Sequence, residues 1–170
     1  MNALVIRSAT AGDVPLILSF IRGIAEYEKL SHEVMATEDI LRDSLFGAKP
    51  AAEAILGFAG QTPAAYAVFF PSFSTFLGRP GLWLEDLFVK PEFRGHGLGK
   101  AMLAHVARLA LERKCGRFEW SVLDWNEPAI GFYKKLGATV MGEWRICRVT
   151  GRALEALGRG IDAERSAAEK

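Results

Sequence analysis

The chain has 170 residues, half of them apolar, and its 21 basic and 20 acidic side chains leave a formal net charge of +1. That length suits a single domain over 1–170, with a core of about 4–150 and a polar C-terminal extension over about 158–170. The balanced charge excludes a nucleic-acid footprint, and the longest apolar run, Ala64–Phe70, is far below the roughly 20 residues that span a bilayer.

Leu4–Ser8 reads as a first strand. Thr10 then opens a helix, with Asp13 three residues on and Pro15 in its first turn. Ile17, Phe20, Ile21 and Ile24 give that helix one apolar face. The polar segment Glu26–Glu33 follows, and Thr37 caps a second helix through about Phe46. Glu53–Ala59 and Ala64–Phe70 read as a hairpin around Gly60-Gln61-Thr62-Pro63. Pro71–Gly81, rich in Ser, Gly, Pro and Phe, reads as a loop. Leu82–Val89 is an apolar strand interrupted by Glu85-Asp86.

Gly97 to about Lys114 is a long helix with Leu98, Met102, Val106 and Leu109 on one stripe. Arg117–Leu123 alternates as a strand. Asn126 caps a further helix, with Pro128 in its first turn and Gly137 at its end. Thr139–Val149 is expected as a final strand, and the last ten or so residues as frayed or loosely helical. The order predicts an α/β (α+β) fold, a mixed sheet with helices on both faces.

The clearest chemistry lies in Leu84–Lys100, where a strand enters a glycine-rich turn that opens a helix. Gly95, Gly97 and Gly99 stand at alternate positions and let backbone N–H groups approach a bound group with no Cβ in the way. At a helix N-terminus these donors join the positive end of the dipole, which suits phosphate oxygens. Arg94 and Lys100 add positive charge. The Walker pattern fails, because Arg94 stands where its first glycine belongs and Ala101 follows Lys100. The dinucleotide pattern fails because Lys100 occupies its third glycine position. A plain tight turn would need one or two glycines and no basic residue at each end.

The pattern that fits is Arg-x-x-Gly-x-Gly, as Arg94-Gly95-His96-Gly97-Leu98-Gly99. It resembles the acetyl-CoA pyrophosphate loop of the GNAT acetyltransferase superfamily. A second block, Trp125–Ala138, has an Asn at its helix start and Phe132-Tyr133 near its end, and resembles that superfamily's second cofactor motif. Arg22–Leu30, Leu84–Val89 and Asp124–Pro128 narrow the resemblance to the diamine acetyltransferase branch, which includes the spermidine/spermine and thialysine enzymes. The likeness runs over about 4–150.

The resemblance implies a splayed central sheet, acetyl-CoA as co-substrate, and direct attack by a small primary amine in a ternary complex. It also implies a homodimer. Leu87, Phe88 and Val89 would line the pantetheine, with backbone hydrogen bonds from Leu87 and Val89. Arg94, Gly95, His96, Gly97, Leu98, Gly99 and Lys100 would hold the diphosphate. Asn126, Glu127, Pro128 and Ala129 would meet the diphosphate or adenine side. Tyr133 would contact the cofactor and donate a proton to the departing thiolate. Glu85 is the candidate base or amine anchor, and Tyr27, Glu28, Glu119, Trp120 and Ser121 would contact the amine.

The charged pair Glu85-Asp86 is consistent with a bulge beside an active site; otherwise one of the two faces solvent at a strand edge. In the spermidine enzymes the loop before this strand carries an acidic residue followed by Pro-Trp. Ser74 stands at the acidic position in Phe73-Ser74-Thr75-Phe76, so the thialysine type is the closer likeness. No His-Glu-x-x-His or paired-Cys spacing exists, so no metal is expected. Cys115 and Cys147 read as free thiols of a cytoplasmic protein, since Met1–Arg7 lacks the features of a signal peptide. Two other functions remain open, acetylation of a protein or peptide amine and a non-catalytic acyl-CoA-binding module.

Overall fold

The structure, a computed structural model, describes residues 4–168, and of 161–168 the backbone alone. Two units divide the chain, Met1–Ser121 and Val122–Lys170.

The first unit runs β1 (Leu4–Ser8), α1 (Val14–Tyr27), α2 (Glu38–Phe46), β2 (Glu53–Ala59), β3 (Thr62–Ser74), β4 (Arg79–Val89), α3 (Leu98–Glu112) and β5 (Arg117–Trp120). The strands form one sheet in the order β1-β2-β3-β4-β5. The first three pairings are antiparallel, and β4 pairs with β5 in parallel, so the sheet is mixed. A short 3-10 turn, Ala11–Asp13, precedes α1. It is fastened where the sequence places a cap: the Thr10 backbone N–H donates to Asp13 Oδ2 at 2.8 Å, and Arg7 pairs with Asp13 at 2.7 Å. Thr37 Oγ1 caps α2 by accepting from the Ile40 N–H at 3.3 Å.

Helices cover both faces of this sheet. On one, Phe20 of α1 stacks on Tyr66 of β3, with centroids 5.2 Å apart, and meets Phe88 of β4 edge-on at 6.4 Å. Ile17, Phe20, Leu56 and Tyr66 are almost wholly buried there. On the other face α3 lies so close that a Cβ on Gly57 would come within 2.8 Å of Met102 Sδ. Leu98, Met102 and Val106 are buried as their stripe requires, whereas Leu109 is not among the buried residues of α3.

Two features differ from the sequence reading. Pro71–Gly81 is not a loop: β3 continues to Ser74 and β4 begins at Arg79, with Pro71 opposite Leu82 and Phe73 opposite Pro80. Only Thr75–Gly78 turns, with Gly78 at φ +59°. Local Pro and Gly content argued against a strand, but the pairing comes from a partner chain segment that local propensity does not see. The strand expected over Arg117–Leu123 stops at Trp120, leaving Ser121 outside it.

The second unit contains α4 (Glu127–Lys135) and α5 (Gly151–Ala168). Helix α4 is capped as its sequence implies: Asn126 Oδ1 accepts from the Ala129 N–H, Pro128 lies in the first turn, and Gly137 follows at φ +93°. Helix α5 begins at Gly151 and takes in the tail expected as frayed or loosely helical, as far as Ala168. Thr139–Val149 forms no strand. A turn closed by the Trp144 N–H donating to Met141 O interrupts it at Gly142, and Val140, Met141, Trp144, Ile146 and Val149 are all exposed. Apolar alternation makes a strand only where another strand completes the ladder. Among the described residues, no helix is long and apolar enough to cross a membrane.

Candidate active site

Strand β4 has a different neighbour along each half. Its ladder to β5 runs from Gly81 opposite Arg117 to Leu84 opposite Trp120 and ends there. From Glu85 to Val89, β4 is paired only with β3. The Lys90 N–H donates to Ala64 O of the β3 side at 2.9 Å. Backbone groups alternate sides along a strand, so the N–H groups of Leu87 and Val89 point the other way, along the edge that β5 leaves open. Arg94 Nε donates to Val89 O at 2.9 Å, as that direction requires.

The opening coincides with a bulge. Phe69 stands opposite Leu84 and Val68 opposite Asp86, which leaves Glu85 as the extra residue. The sequence favours Glu85 over Asp86 as the inward carboxylate. In the structure Glu85 is exposed, its Oε2 accepting from Trp83 Nε1 at 3.1 Å. Asp86 is the half-buried one, and the Tyr66 hydroxyl donates to its Oδ2 at 2.5 Å. Burial raises the Asp86 pKa, the Tyr66 bond opposes that rise, and the charge of Glu85 adds to it. Glu28 is also raised, first by burial and then by Asp86. Tyr66 stays a neutral phenol, because burial and the neighbouring carboxylates hold its pKa far above the usual value.

Glu28, Glu85 and Asp86 line one cleft of about 380 Å³, walled by Ile21, Ile24 and Met35. No ion pair among the described residues engages any of the three carboxylates. Negative charge that no described cation neutralises suits a cationic guest.

Tyr27, next in sequence to Glu28, faces elsewhere. With Phe88, Lys90 and Arg94 it lines a second cleft of about 400 Å³. The Arg94 guanidinium lies 4.7 Å from the Tyr27 ring centroid and 5.5 Å from that of Phe88, and Lys90 Nζ lies 5.4 Å from that of Phe20. Arg94 is thus turned onto aromatic faces at the foot of the glycine turn. In that turn Gly95 and Gly97 have φ of +79° and +84°, and a Cβ at either would meet no atom within 4 Å. The first α3 N–H with a partner inside the helix is that of Ala101, bonded to Gly97 O. The N–H groups of Leu98, Gly99 and Lys100 remain as the helix's leading donors. His96 holds the turn by its ring, with Nδ1 at 2.7 Å from Arg94 O.

On β5, Glu119 accepts from Arg117 Nη1 at 2.9 Å, and Trp120 packs beside Phe118 at 5.0 Å. Ser74, which stands where the spermidine enzymes carry an acid, is 3% exposed. Its Oγ accepts from the Leu77 N–H at 3.2 Å and from Arg117 Nη2. This residue fastens the β3–β4 turn and sits against a guanidinium, and it is not among the residues of the acidic cleft. In the second unit, Asn126, Glu127, Pro128 and Ala129 form the first turn of α4 and its cap, and Tyr133 lies further along it, 5.3 Å from the Phe132 ring. Among the described residues, no group of three or more His, Cys, Asp or Glu is placed to hold a metal.

Sequence reasoning missed Tyr66 and left Asp86 open. Tyr66 is the one hydroxyl in the apolar run Ala64–Phe70, and a phenol in a buried strand needs a partner. That signal was available.

The profile of the Acetyltransferase (GNAT) family matches residues 21–138. The thialysine N-epsilon-acetyltransferase of Sus scrofa is 38% identical over 168 positions, covering 92% of this chain and 98% of its own. The L-ornithine N5-acetyltransferase NATA1 of Arabidopsis thaliana is 34% identical over 200 positions, covering 91% and 87%. Among solved structures, an integron cassette protein from the mobile metagenome of V. cholerae shares the fold, with a TM-score of 0.76 at 24% identity over 91% of this chain and 97% of that one.

Proposed function

This chain belongs to the GNAT family of acetyltransferases and is an acetyl-CoA-dependent N-acetyltransferase; we propose that its acceptor is the terminal primary amine of a small thialysine-, lysine-, ornithine- or diamine-like molecule held in the acidic cleft. One observation carries this reading. The open edge of β4 and two of the cleft's carboxylates, Glu85 and Asp86, belong to the same short stretch, Glu85–Val89. A thioester lying along the edge is thereby brought within a few residues of the groups that attract a cation.

The residues fit acetyl-CoA in three respects. The backbone of Leu87 and Val89 offers amide partners for pantetheine. The glycine turn offers N–H donors at a helix start with no side chain above them. Arg94 and Lys100 supply charge for the diphosphate.

The amine arrives as an ammonium with a pKa of about 10.4, so its deprotonation at pH 7 costs about 4–5 kcal/mol. Glu28 and Asp86 attract the cation. Glu85, exposed at the bulge, takes its proton through water and passes it to solvent. The neutral nitrogen attacks the thioester carbonyl carbon, a C–N bond forms and the C–S bond breaks. The Leu87 N–H meets the negative charge that gathers on the carbonyl oxygen. As the C–S bond breaks, the nitrogen gives up its second proton to water and the leaving thiolate takes one proton, whose donor the family resemblance assigns as Tyr133. Tyr133 regains its proton from that water, so one proton in all goes to solvent.

Thiol release from acetyl-CoA across thialysine, lysine, ornithine, short diamines, spermidine and a peptide tests the assignment. Turnover with the short amines and little with spermidine is expected. Turnover with the peptide alone would overturn it. A homodimer belongs to the same reading, supported by the exposed apolar side chains of 139–149, which a second copy would cover; a monomeric mass in solution would remove it. A cytoplasmic location is supported by the free thiols of Cys115 and Cys147. A single-domain organisation is supported by the family match, which runs across both units.

A further inference from the structure

We propose that Tyr66 is a positioning residue for amine capture: its phenol grips Asp86 from the core side, so that the carboxylate's second oxygen faces the substrate ammonium. This rests on the reading that the acidic cleft takes the amine.

The geometry comes from sheet register. Tyr66 stands opposite Phe88, and Asp86 lies two residues from Phe88, so all three project from the same face of the sheet. Tyr66 is wholly buried, and its ring is clamped by the 5.2 Å stack on Phe20, at an interplanar angle of 7°. A ring so held has little rotational freedom, and its hydroxyl arrives from one direction. Asp86 lies in the cleft wall. A donor from behind at Oδ2 leaves Oδ1 on the cleft side, where none of the described residues donates to it. An ammonium there completes the carboxylate's hydrogen bonding.

The surroundings explain why a donor is needed. Asp86 is faced by Glu85 from its own strand and by Glu28 from the C-cap of α1, and Glu33 from the turn after α1 lines the same cleft. Among the described residues, no Lys or Arg forms an ion pair with Asp86. A carboxyl group among apolar walls and like charges tends to take up a proton and lose its attraction for a cation. The Tyr66 hydroxyl favours the charged form and so keeps Asp86 able to attract an ammonium at neutral pH. Glu85 has a different donor, Trp83 Nε1 on its own strand.

The test is a pair of variants, Asp86→Asn and Tyr66→Phe, with the amine KM, the pH profile of kcat/KM and CoA affinity measured for each. Asp86→Asn raises the amine KM by about tenfold or more and leaves CoA affinity unchanged. Tyr66→Phe keeps the ring and its stack. It moves the acidic limb of kcat/KM upward by about one pH unit, so that raising the pH restores activity. A purely structural role for Tyr66 would lower stability and leave the limb in place. If Asp86→Asn raises KM but Tyr66→Phe moves neither KM nor the limb, the positioning role is overturned and the amine site stands. If Asp86→Asn leaves the amine KM unchanged, the cleft itself is not the amine site and both readings fall. Should Tyr66→Phe not fold, the test passes to the Asp86→Asn background. There Tyr66→Phe causes no further loss of amine affinity, and an added loss would overturn the proposal.

Discussion

Tyr27 and Glu28 are neighbours in sequence and face clefts of opposite charge. Glu28 shares one with Glu85 and Asp86, and Tyr27 shares the other with Lys90 and Arg94. The acidic cleft is built across elements: a helix end, a strand bulge, and a phenol from the next strand. The basic cleft joins two pieces: Ser19, Phe20, Gly23, Glu26 and Tyr27 from α1, and Phe88, Lys90, Pro91 and Arg94 from the end of β4 and the turn after it, so that its cations all come from one short stretch. The charge-bearing groups of the two clefts also differ in kind. Burial raises Glu28 and Asp86, and their charge is held against solvation. Arg94 is exposed, with its guanidinium carbon over the Tyr27 ring, where its charge costs little.

One residue stands behind both clefts. Phe20 stacks on Tyr66 toward the acidic side and meets Phe88 and Lys90 toward the basic side. Phe20→Ala is therefore expected to cost about 3–5 kcal/mol of stability, measured by urea denaturation. It should weaken amine and CoA binding together in whatever protein remains folded. Loss of one alone would show that the clefts do not share a wall.

Substitutions at the rims should separate them. Arg94→Ala is expected to weaken CoA binding about tenfold, more at low salt than at high salt, with the amine KM little changed. Glu28→Gln should do the reverse, raising the amine KM about tenfold with CoA affinity intact. Glu28→Gln carries a further signature in stability. A carboxyl group whose pKa is raised on folding opposes the fold once it ionises. The variant should therefore be slightly more stable than the parent at neutral pH. The gain should vanish as the pH falls below the ordinary Glu range, near 4.3, where both states are protonated. Calorimetric melts at pH 7 and pH 4 would read it.

The contrast between local and assembled structure also decides what the sequence reveals. The glycine turn, the Asn126 cap and the Thr10–Asp13 box are short-range patterns, and each forms as its residues imply. The bulge at Glu85 is foreseen because two charges interrupt an apolar strand. Which of them turns inward depends on the register with β3, which shifts between Val68 and Phe69, residues far from the charged pair in sequence. Ser74 shows the same limit. By resemblance it marks only the lack of the acidic residue of the spermidine enzymes, while its place against Arg117 and Leu77 depends on a hairpin extension that Pro71 and Pro80 disguised. The segment 139–149 fails as a strand for a related reason: its alternation is local, and a ladder is not.

The smallest expected effect lies outside both clefts and checks that the larger ones are local. Asp13 fastens the start of α1 by accepting from the Thr10 N–H and from Arg7, and neither partner lines a cleft. Asp13→Asn is expected to cost about 1 kcal/mol, the usual size of a lost cap, with the amine KM and CoA affinity unchanged. The Arg7 hydrogen bond, opposed by burial and aided by Thr10, holds the Asp13 carboxyl well below the usual range. A depressed pKa contributes stability that is complete above the unfolded value, near 3.9, and is lost as the pH falls through the folded one. The stability gap between parent and variant should thus be widest at neutral pH and close in acid. For Glu28→Gln the gap also closes in acid, but there the variant is the more stable partner at neutral pH. The two substitutions differ in sign because one carboxylate is held by an arginine and the other is buried, with Asp86 beside it.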